Sequence, residues 1–271
     1  MLRRLLLRSD AELWCARHRR DVPLSDPRLH VVDLDLEGDV SESLAGTSFD
    51  LVVHFAGVTH ESDEARYWQI NREGTVRLAE AVRANGCRRF VYISTRCATP
   101  GSGAYGESKL AAEQALQKFG WESLLIVRPA EIYGGGGKEG IDAMLALARR
   151  WRVAPALCGD GRLRFAPLHV DDFSTALVEL IEQHTHGVRI ESVCGPEDLS
   201  GLTLANRIAK RYRAVPLPLW WPAVAVVLKA LNMIGLDVVK RDQLTRLVSE
   251  KTGTAASEQN VREGVRRFLA E

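Results

Sequence analysis

Short, almost wholly apolar runs alternate with stretches of helical periodicity over most of the chain. Strands buried on both faces of a parallel sheet have continuous apolar sequences, so each short run is predicted as such a strand. The alternation predicts an α/β protein of the Rossmann type, with a doubly wound parallel sheet covered by helices. The predicted strands span residues 13–16, 29–33, 51–54, 90–94 and 124–128, and the helices span 63–85, 105–119 and 141–151.

The pattern changes after the glycine run at 134–137, where shorter strand and helix pieces precede a mainly helical C-terminal third. We predict a sheet domain over residues 1–180 and a smaller, mainly helical region over 181–271, interleaved with 134–165. In such folds ligands bind in the crevice beyond the carboxyl ends of the strands. The crevice between the two parts is therefore the expected substrate site.

The longest apolar stretch, Val215 to Leu236, is interrupted by three prolines, Lys229 and Asn232. A helix that spans a membrane needs about 20 consecutive apolar residues. The part from Pro222 to Leu236 is therefore interpreted as an amphipathic or buried helix, which we favour over an interfacial membrane contact. Residues 1–8 contain only three consecutive apolar residues, fewer than a signal peptide needs.

The composition of the chain bears on which partners it can bind and on the cellular compartment that we expect for it. Hydrophobic residues make up 46% and charged residues 26% of the chain, which allows a sizeable core. Lys+Arg 36 nearly balances Asp+Glu 35, so the basic footprint of a nucleic-acid-binding protein is absent. The five scattered cysteines predict reduced thiols in a cytoplasmic protein and no metal site. His169-Val-Asp-Asp172 is assigned to a helix cap through Asp171 rather than to a metal.

Tyr105-Gly-Glu-Ser-Lys109 begins a predicted helix and carries the main chemical signal. Spacing of four places Tyr105 and Lys109 on one helix face, with the ammonium near the phenol. A free tyrosine titrates near pH 10, and a neighbouring positive charge lowers that pKa, as a general acid/base requires. Such pairs are also common on protein surfaces, so the surrounding sequence decides the assignment.

Other strand ends bring polar and small residues to the same edge of the predicted sheet. One strand ends in Ser94-Thr95, just before the tyrosine helix, and another runs into Phe55-Ala-Gly57, where backbone can approach a ligand closely. Asp33 ends an earlier strand, and Asn71 lies on the helix after Gly57. This order is the one that a single ligand crevice requires.

Together these stretches resemble the extended short-chain dehydrogenases/reductases, which include NAD-dependent sugar-nucleotide epimerases and dehydratases. Each match is weak alone, but all follow the family's order between about residues 29 and 180. The matching stretches are Val32-Asp-Leu34, Val53-His-Phe-Ala-Gly57, Asn71-Arg-Glu-Gly-Thr75, Ile93-Ser-Thr95, Tyr105-Gly-Glu-Ser-Lys109, Val127-Arg-Pro129, Ile132-Tyr-Gly134 and His169-Val-Asp-Asp172.

The resemblance implies an NAD(P)-dependent epimerase or reductase that transfers hydride at a carbinol carbon. Tyr105 would be the acid/base on the substrate hydroxyl, and Thr95 would hydrogen-bond the same oxygen. Lys109 would hold the nicotinamide ribose and lower the pKa of the tyrosine. The substrate would be a sugar nucleotide or a similar hydroxylated small molecule, and a homodimer is a candidate assembly.

The same resemblance makes residues 1–180 the NAD(P)-binding domain and implies its contacts with the cofactor. Packing at strand ends is the alternative for Phe55, Ala56 and Pro129. The expected contacts are Asp33 and Leu34 at the adenine, Phe55, Ala56, Gly57 and Thr59 along the pyrophosphate–ribose path, Asn71 supporting that path through backbone-directed hydrogen bonds, Lys109 with Tyr105, Ser94 as a further contact, and Pro129 at the nicotinamide.

Charge at the end of the 13–16 strand bears on the choice between NAD and NADP. An acidic residue there would bond the ribose 2′-hydroxyl of NAD. This chain has Arg17, His18, Arg19 and Arg20 instead, and a guanidinium suits a 2′-phosphate. NADP is therefore favoured over NAD, with a solvated basic turn as the alternative role of Arg17.

One family feature is missing: the glycine-rich turn that places pyrophosphate against a helix N-terminus after the first strand. Residues 1–8 are instead typical of the helix that follows that turn. Loss of this central strand would leave a gap between its two neighbours. Either the true start lies upstream or was trimmed, or the protein is degenerate and binds dinucleotide poorly.

Further departures bear on the chemistry. Dehydratases of this family supply an acid and a base where this chain has Arg96 and Cys97, so dehydration is disfavoured. Glu131 replaces an asparagine that touches substrate in many epimerases; a carboxylate there would repel a diphosphate or act as an additional base. Arg164 resembles a position that contacts substrate phosphate, with a salt bridge as the alternative. The segment between Thr95 and Tyr105 is shorter than in typical sugar-nucleotide epimerases, which weakens that assignment.

The C-terminal third supplies a rival class of function. Val193-Cys-Gly-Pro196 and the stretch from Pro216 to Trp221 resemble a subset of the superfamily that includes a respiratory-complex accessory subunit. Such members can bind a cofactor without catalysing a reaction. A catalytically silent dinucleotide-binding scaffold is therefore the alternative, against which the retained Tyr105 and Lys109 argue.

Overall fold

The structure is a computed structural model that describes residues 1–19, 21–137, 140–233, 241–253 and 265–269, without the side chains of 229–233, 241, 243 and 244. The strands are β1 (Leu13–Arg17), β2 (Leu29–Asp33), β3 (Leu51–His54), β4 (Arg89–Ile93), β5 (Ser123–Pro129), β6 (Ile132–Tyr133), β7 (Val153–Cys158), β8 (Arg164–Phe165), β9 (Leu168–His169), β10 (Gly187–Val193), β11 (Leu199–Ser200) and β12 (Val215–Trp220). The helices are α1 (Leu2–Arg8), α2 (Val40–Ser43), α3 (Glu64–Tyr67), α4 (Thr75–Ala84), α5 (Ala104–Leu116), α6 (Gly140–Trp151), α7 (Val170–Gln183), α8 (Gly201–Tyr212), α9 (Trp221–Met233) and α10 (Arg241–Val248), with a π-helical segment (Trp68–Gly74) between α3 and α4.

The central sheet is parallel, in the order β10-β5-β4-β3. Successive side chains of a strand point to opposite faces, and in β4 Phe90 and Tyr92 pack with α4 and α5 while Val91 and Ile93 pack with α7. The sheet is therefore covered by helices on both faces, which confirms the predicted doubly wound Rossmann-type fold. The five predicted strands form within one residue of their expected bounds.

A second parallel pair, β1-β2, is separate from the central sheet in the described residues. β1 and β3 thus each have an edge without a described strand partner, which is the gap expected from the sequence. The expectation that every predicted strand is buried on both faces is wrong for β1 and β2, because their side chains alternate with exposed positions such as Trp14 and Val31. Only one face of the pair packs, through Val32 and Leu34, against the core beneath α2 and α4.

The predicted helix at 63–85 is divided by the π-helical segment. It begins where the Asp63 carboxylate accepts a hydrogen bond from the Ala65 N–H, and Gly86 (φ +90) follows its end. Insertions of this kind often occur at functional positions, and this one contains the buried Asn71.

A smaller core lies beside the sheet; it is built mainly from α6, α8 and β7 and includes Tyr133 and Phe268. β7 and β12 form a parallel pair. The chain returns to the central sheet at β10, beyond the boundary that the sequence placed at residue 180. α9 forms within the predicted segment, whose last residues, 234–236, lie outside the described residues.

α7 begins differently from the prediction. The His169 imidazole is the N-cap and accepts a hydrogen bond from the Asp171 N–H at 3.2 Å. The predicted cap through Asp171 is therefore wrong, since Asp171 and Asp172 lie in the first turn, where carboxylates favour the helix dipole. Among the described helices, none is long and apolar enough to cross a membrane.

Candidate active site

Tyr105 and Thr95 meet at the carboxyl edge of the central sheet. Thr95 follows β4 and is buried, while Tyr105 is the second residue of α5 and is half-buried. The Thr95 hydroxyl lies close enough to the phenol to favour its phenolate form, which lowers the pKa of Tyr105 slightly. Gly106 allows this approach, because a Cβ there would lie 2.2 Å from both the Cys97 carbonyl and the Ser102 Oγ. α5 therefore packs directly on the loop that carries Thr95.

The pKa of Tyr105 is raised to about 12, in the direction opposite to the prediction. Burial is the main cause, because it disfavours the phenolate. The cation that opposes this rise is Arg246, whose Cζ lies 4.4 Å from the centre of the tyrosine ring, rather than Lys109. The predicted lowering of the pKa by Lys109 is therefore wrong for the protein without ligand.

Lys109 points below the tyrosine into the sheet edge. Its Nζ donates a hydrogen bond to the Ile93 carbonyl at 2.7 Å and lies 4.3 Å from the centre of the Tyr92 ring. Burial lowers the pKa of this ammonium to about 7. The neighbouring His54 imidazole is also buried, hydrogen-bonds Thr75 at 2.9 Å, and has a pKa lowered to about 3 by burial and by Lys109. At neutral pH the His54 imidazole is therefore uncharged, and the Lys109 amine is only partly protonated.

Asn71 fixes the loop that follows β3. Its side-chain amide bonds both backbone groups of Val58, accepting from the N–H at 2.8 Å and donating to the carbonyl at 3.0 Å. A Cβ at Gly57 would lie 2.8 Å from Asn71 Oδ1 and 3.8 Å from Lys109 Nζ, so glycine is needed for this packing itself. The predicted backbone-directed hydrogen bonds of Asn71 are present. Phe55, Ala56, Gly57 and Thr59 lie exposed along this loop.

Two residues of α10 complete the site, and the sequence interpretation missed both. Asp242 is buried and its Oδ1 accepts a hydrogen bond from the Tyr105 N–H at 3.0 Å, so it caps α5 from another helix. Arg246 pairs with Asp242 at 2.9 Å and donates to the Thr59 carbonyl at 2.8 Å. The available signal was the acid–arginine spacing of four in α10, which does not indicate the distant partner.

At the carboxyl ends of β1 and β2, Arg17 and Asp33 bind each other. They are register partners in β1 and β2, and two guanidinium nitrogens of Arg17 donate to the Asp33 carboxylate at 2.7 and 2.9 Å. Arg17 also donates to Asp21 at 2.9 Å, and its hydrogen bonds hold the pKa of Asp33 below its usual value. Arg17 and Asp33, both predicted to bind the adenosine part of the cofactor, thus neutralise each other. Leu34 packs inward, and Arg20 of the predicted basic turn lies outside the described residues.

Glu131 is enclosed by cations. Arg96 donates to its Oε1 at 2.7 Å, the Lys251 ammonium lies 3.6 Å away, and the Ala166 N–H donates to the other oxygen at 2.9 Å. Burial alone would raise the pKa of this carboxyl, but Arg96 and Lys251 hold it below its usual value. A low pKa and occupied oxygens make Glu131 a poor base, and its matched charge removes the expected repulsion of a diphosphate.

Arg164 forms the salt bridge considered as its alternative role, with its Nε 3.0 Å from Asp198. It also lines a cleft of about 600 Å³ together with Arg96, Arg162 and Lys251. In the same lining, Gly101 lies just before α5, and Thr245 lies within α10, next to Arg246 in sequence. The cleft therefore lies near the start of α5, and its cations outnumber its two carboxylates, Asp198 and Glu250.

Two further predicted residues fit a ligand at the sheet edge. The Ser94 Oγ is buried and has no hydrogen-bond partner among the described residues. A buried hydroxyl without a partner costs free energy unless a ligand bonds it. Pro129 is buried at the end of β5, where its carbonyl accepts from the Arg96 N–H at 3.1 Å. Ser94, Pro129, Lys109 and the exposed 55–59 loop are thus available to a cofactor at one edge.

Known proteins match this chain over most of its length. A family model described as the NAD dependent epimerase/dehydratase family matches residues 1–194. Ceramide reductase of Caulobacter vibrioides is 32% identical over 153 residues, which cover 56% of this chain and 47% of that protein. The mitochondrial NADH-ubiquinone oxidoreductase 40 kDa subunit of Neurospora crassa is 24% identical over 83% of this chain and 60% of its own length. The chain thus spans about half the length of these two curated relatives.

The fold matches solved structures more broadly. The Bordetella bronchiseptica enzyme WbmG, in complex with NAD and UDP, superposes with a TM-score of 0.68 over 80% of this chain and 75% of its own. The sequences are 18% identical, so this likeness supports the fold alone.

Proposed function

Since the chain belongs to the NAD dependent epimerase/dehydratase family, we propose that it is an NAD(P)-dependent reductase or epimerase that transfers hydride at a carbinol carbon. The observation that carries the proposal is the meeting of Tyr105 and Thr95 at the carboxyl edge of the sheet, one helical turn from Lys109. A phenol and a hydroxyl there can bind one substrate oxygen. Thr95 and Lys109 are both buried, which argues against the alternative that Tyr105 and Lys109 are an ordinary pair of surface side chains.

Tyr105 is the proposed proton carrier. A phenol with a pKa of about 12 keeps its proton at neutral pH and can give it to an alkoxide that forms as a carbonyl is reduced. Thr95 donates a hydrogen bond to the same oxygen and fixes its position. Bound NAD(P) supplies or accepts the hydride. Epimerisation uses the same proton transfer in both directions.

The cofactor is proposed to lie along the edge formed by the 55–59 loop, Ser94, Lys109 and Pro129. Asn71 holds the loop in place, and the unpartnered Ser94 hydroxyl is free to bond the ligand. Asp33 and Leu34 would be at the adenine end, as in the family resemblance. The Arg17 guanidinium would reach a 2′-phosphate only by exchanging partners with Asp33, so the preference for NADP over NAD loses its main support.

The substrate is proposed to enter the adjoining cationic cleft. Arg96, Arg164 and Lys251 favour a small molecule that carries an anionic group, and a nucleotide sugar is one candidate. WbmG is described in complex with UDP, whereas the Caulobacter relative is named a ceramide reductase, so the two comparisons favour different substrates. Dehydration stays disfavoured, because Arg96 is tied to Glu131 and cannot act as an acid.

The test compares Tyr105→Phe with the wild type in cofactor binding and in turnover. Binding of NAD, NADH, NADP and NADPH is followed by thermal shift and nicotinamide fluorescence, and turnover by nicotinamide absorbance with carbonyl and nucleotide-sugar substrates. We expect Tyr105→Phe to lower turnover by at least about 10²-fold while cofactor affinity stays nearly unchanged. Tyr133→Phe, in the other core, is the matched control.

Two results would contradict the proposal. Unchanged turnover in Tyr105→Phe would exclude the acid/base role. Absence of binding by all four dinucleotides would exclude the proposed cofactor. Binding of a dinucleotide by the wild type without turnover of any substrate would favour the catalytically silent dinucleotide-binding scaffold instead.

A further inference from the structure

Two helices of the smaller core end side by side in clusters of cations. α6 ends at Trp151 and α8 at Tyr212, and each is followed by an arginine with positive φ, Arg152 (φ +56) and Arg213 (φ +51). The two turns are joined, since the Val215 N–H donates to the Arg152 carbonyl at 2.8 Å before β12 pairs with β7. The exposed cations of this basic rim are Arg149, Arg150, Arg152, Lys210, Arg211 and Arg213.

Several large apolar side chains near the rim and along β12 and α9 are exposed to solvent. Trp151 is 66% exposed, Val215 at the start of β12 is 67% exposed, and Trp220 at its end is 61% exposed. On α9 the opposite face packs against Leu163 and Val248, which leaves Val226 and Val227 outside. Along β12, Val215 and Leu217 share one face and Trp220 is on the other, because side chains alternate in a strand. We call the exposed apolar residues of α6, β12 and α9 the apolar strip; they are Trp151, Val215, Leu217, Trp220, Val226 and Val227.

Interactions among the described residues account for only part of this surface, since Arg150 lies over the Trp151 ring and Arg211 over the Tyr212 ring. Cations in a last helical turn favour the helix dipole, which explains part of the rim. Across the described ranges, however, no acidic side chain lies within ion-pair distance of Arg149, Arg150, Arg152, Arg211 or Arg213. The dipole also gives no reason to expose two tryptophans. Exposed apolar surface next to a single-sign charge cluster is typical of an interaction site.

We propose that the basic rim and the apolar strip dock on the surface of an anionic phospholipid membrane. Tryptophan prefers the headgroup level of a bilayer, aliphatic side chains enter the acyl boundary, and arginines and lysines bind anionic headgroups. Docking of this kind needs no spanning helix. It replaces the expectation from the sequence that membrane contact is disfavoured, which rested on the interrupted apolar stretch and did not include the cations of α6 and α8.

The charge of the rim favours a membrane over a second copy of the chain. A two-fold dimer through this face would bring two rims of like charge together, because a symmetric interface uses the same patch on both subunits. An anionic bilayer instead offers opposite charge over the whole patch. The proposal does not depend on the proposed enzymatic function, since it uses none of the residues assigned to the candidate active site.

The test is cosedimentation of the full chain with vesicles of phosphatidylcholine alone and of phosphatidylcholine mixed with phosphatidylglycerol. We expect binding to the anionic vesicles that weakens as salt is raised. Arg149→Gln/Arg150→Gln/Arg211→Gln should lower the affinity about a hundredfold, at roughly fivefold per cation. Trp151→Ser/Trp220→Ser should lower it at least about tenfold.

The matched control is Arg3→Gln/Arg72→Gln/Arg88→Gln, which removes the same charge from exposed positions outside the rim. Circular dichroism and thermal melts confirm that each variant is folded. Equal binding to both kinds of vesicle, or equal loss in the rim and control variants, would overturn the proposal. A dimer in light scattering that the rim and tryptophan variants dissociate, without vesicle binding, would show instead a contact between copies.

Discussion

At the scale of single residues, burial decides the charge of the groups around Tyr105. Lys109 and His54 both lie against the Tyr92 ring, and both have lowered pKa values because their charged forms lose water. Tyr105 is shifted toward its neutral form for the same reason. At neutral pH the Tyr105 phenol therefore keeps its proton, whereas the His54 imidazole is uncharged and Lys109 is partly deprotonated.

The stability of the protein should depend on pH through Lys109. Its pKa is about 7 in the folded protein and 10.5 as an ordinary lysine, so between these values the unfolded chain binds more protons. The free energy of unfolding should thus rise with pH over this window, by up to about 1.4 kcal/mol per pH unit relative to Lys109→Met.

Urea unfolding of both proteins at several pH values between 7 and 9 measures this difference. The comparison removes the contributions of cysteines, whose raised pKa values act equally in both proteins. Parallel pH profiles for the two proteins would show that Lys109 is not desolvated as described.

At the scale of secondary-structure elements, α10 organises the start of α5. The N-cap of α5 is Gly103, which has no side chain to accept from the first N–H groups, and a Cβ there would lie 2.5 Å from Asp242 Oδ1. Asp242 supplies the missing acceptor across 137 positions of sequence. A segment from the C-terminal part thus fixes the helix that carries Tyr105 and Lys109.

Asp242→Ala should destabilise the protein by about 3 kcal/mol, because it removes the cap and leaves Arg246 without its partner. Asp242→Asn retains an acceptor oxygen for the Tyr105 N–H and should lose about half as much. Thermal or urea unfolding measures both losses. Equal losses in the two variants would mean that the ion pair, and not the cap, carries the stability.

At the scale of the whole molecule, the central sheet and the β1-β2 pair differ in how well helices cover them. β4 and β5 lie inside the central sheet with helices on both faces, whereas β1 and β2 form an isolated pair with exposed positions. Contacts across the two faces stabilise a strand against local opening. Unequal local stability follows from this architecture.

Hydrogen exchange should therefore occur sooner in β1 and β2 than in β4 and β5. Backbone amides of an isolated pair are released by local opening, while those of the central strands exchange only when most of the fold opens. Exchange followed by mass spectrometry on peptides covering each strand measures the order. Similar protection in all four strands would contradict the described separation of the sheets.

The sequence by itself determined the sheet, the helices around it and the position of the tyrosine. Apolar runs and helical spacing are local patterns, so the strand bounds and the order of Asp33, Asn71, Thr95 and Tyr105 could be predicted from neighbouring residues alone. The resemblance added family roles to residues already found at strand ends. These features needed no knowledge of which distant segments meet.

Only the tertiary structure decided the charge state and the partners of those residues. The raised pKa of Tyr105, the pairing of Arg17 with Asp33 and the capping by Asp242 depend on burial and on contacts between distant segments. The joined basic turns of α6 and α8 likewise come from β7 pairing with β12. Local periodicity does not predict such contacts, because each of them joins segments that are far apart in the sequence.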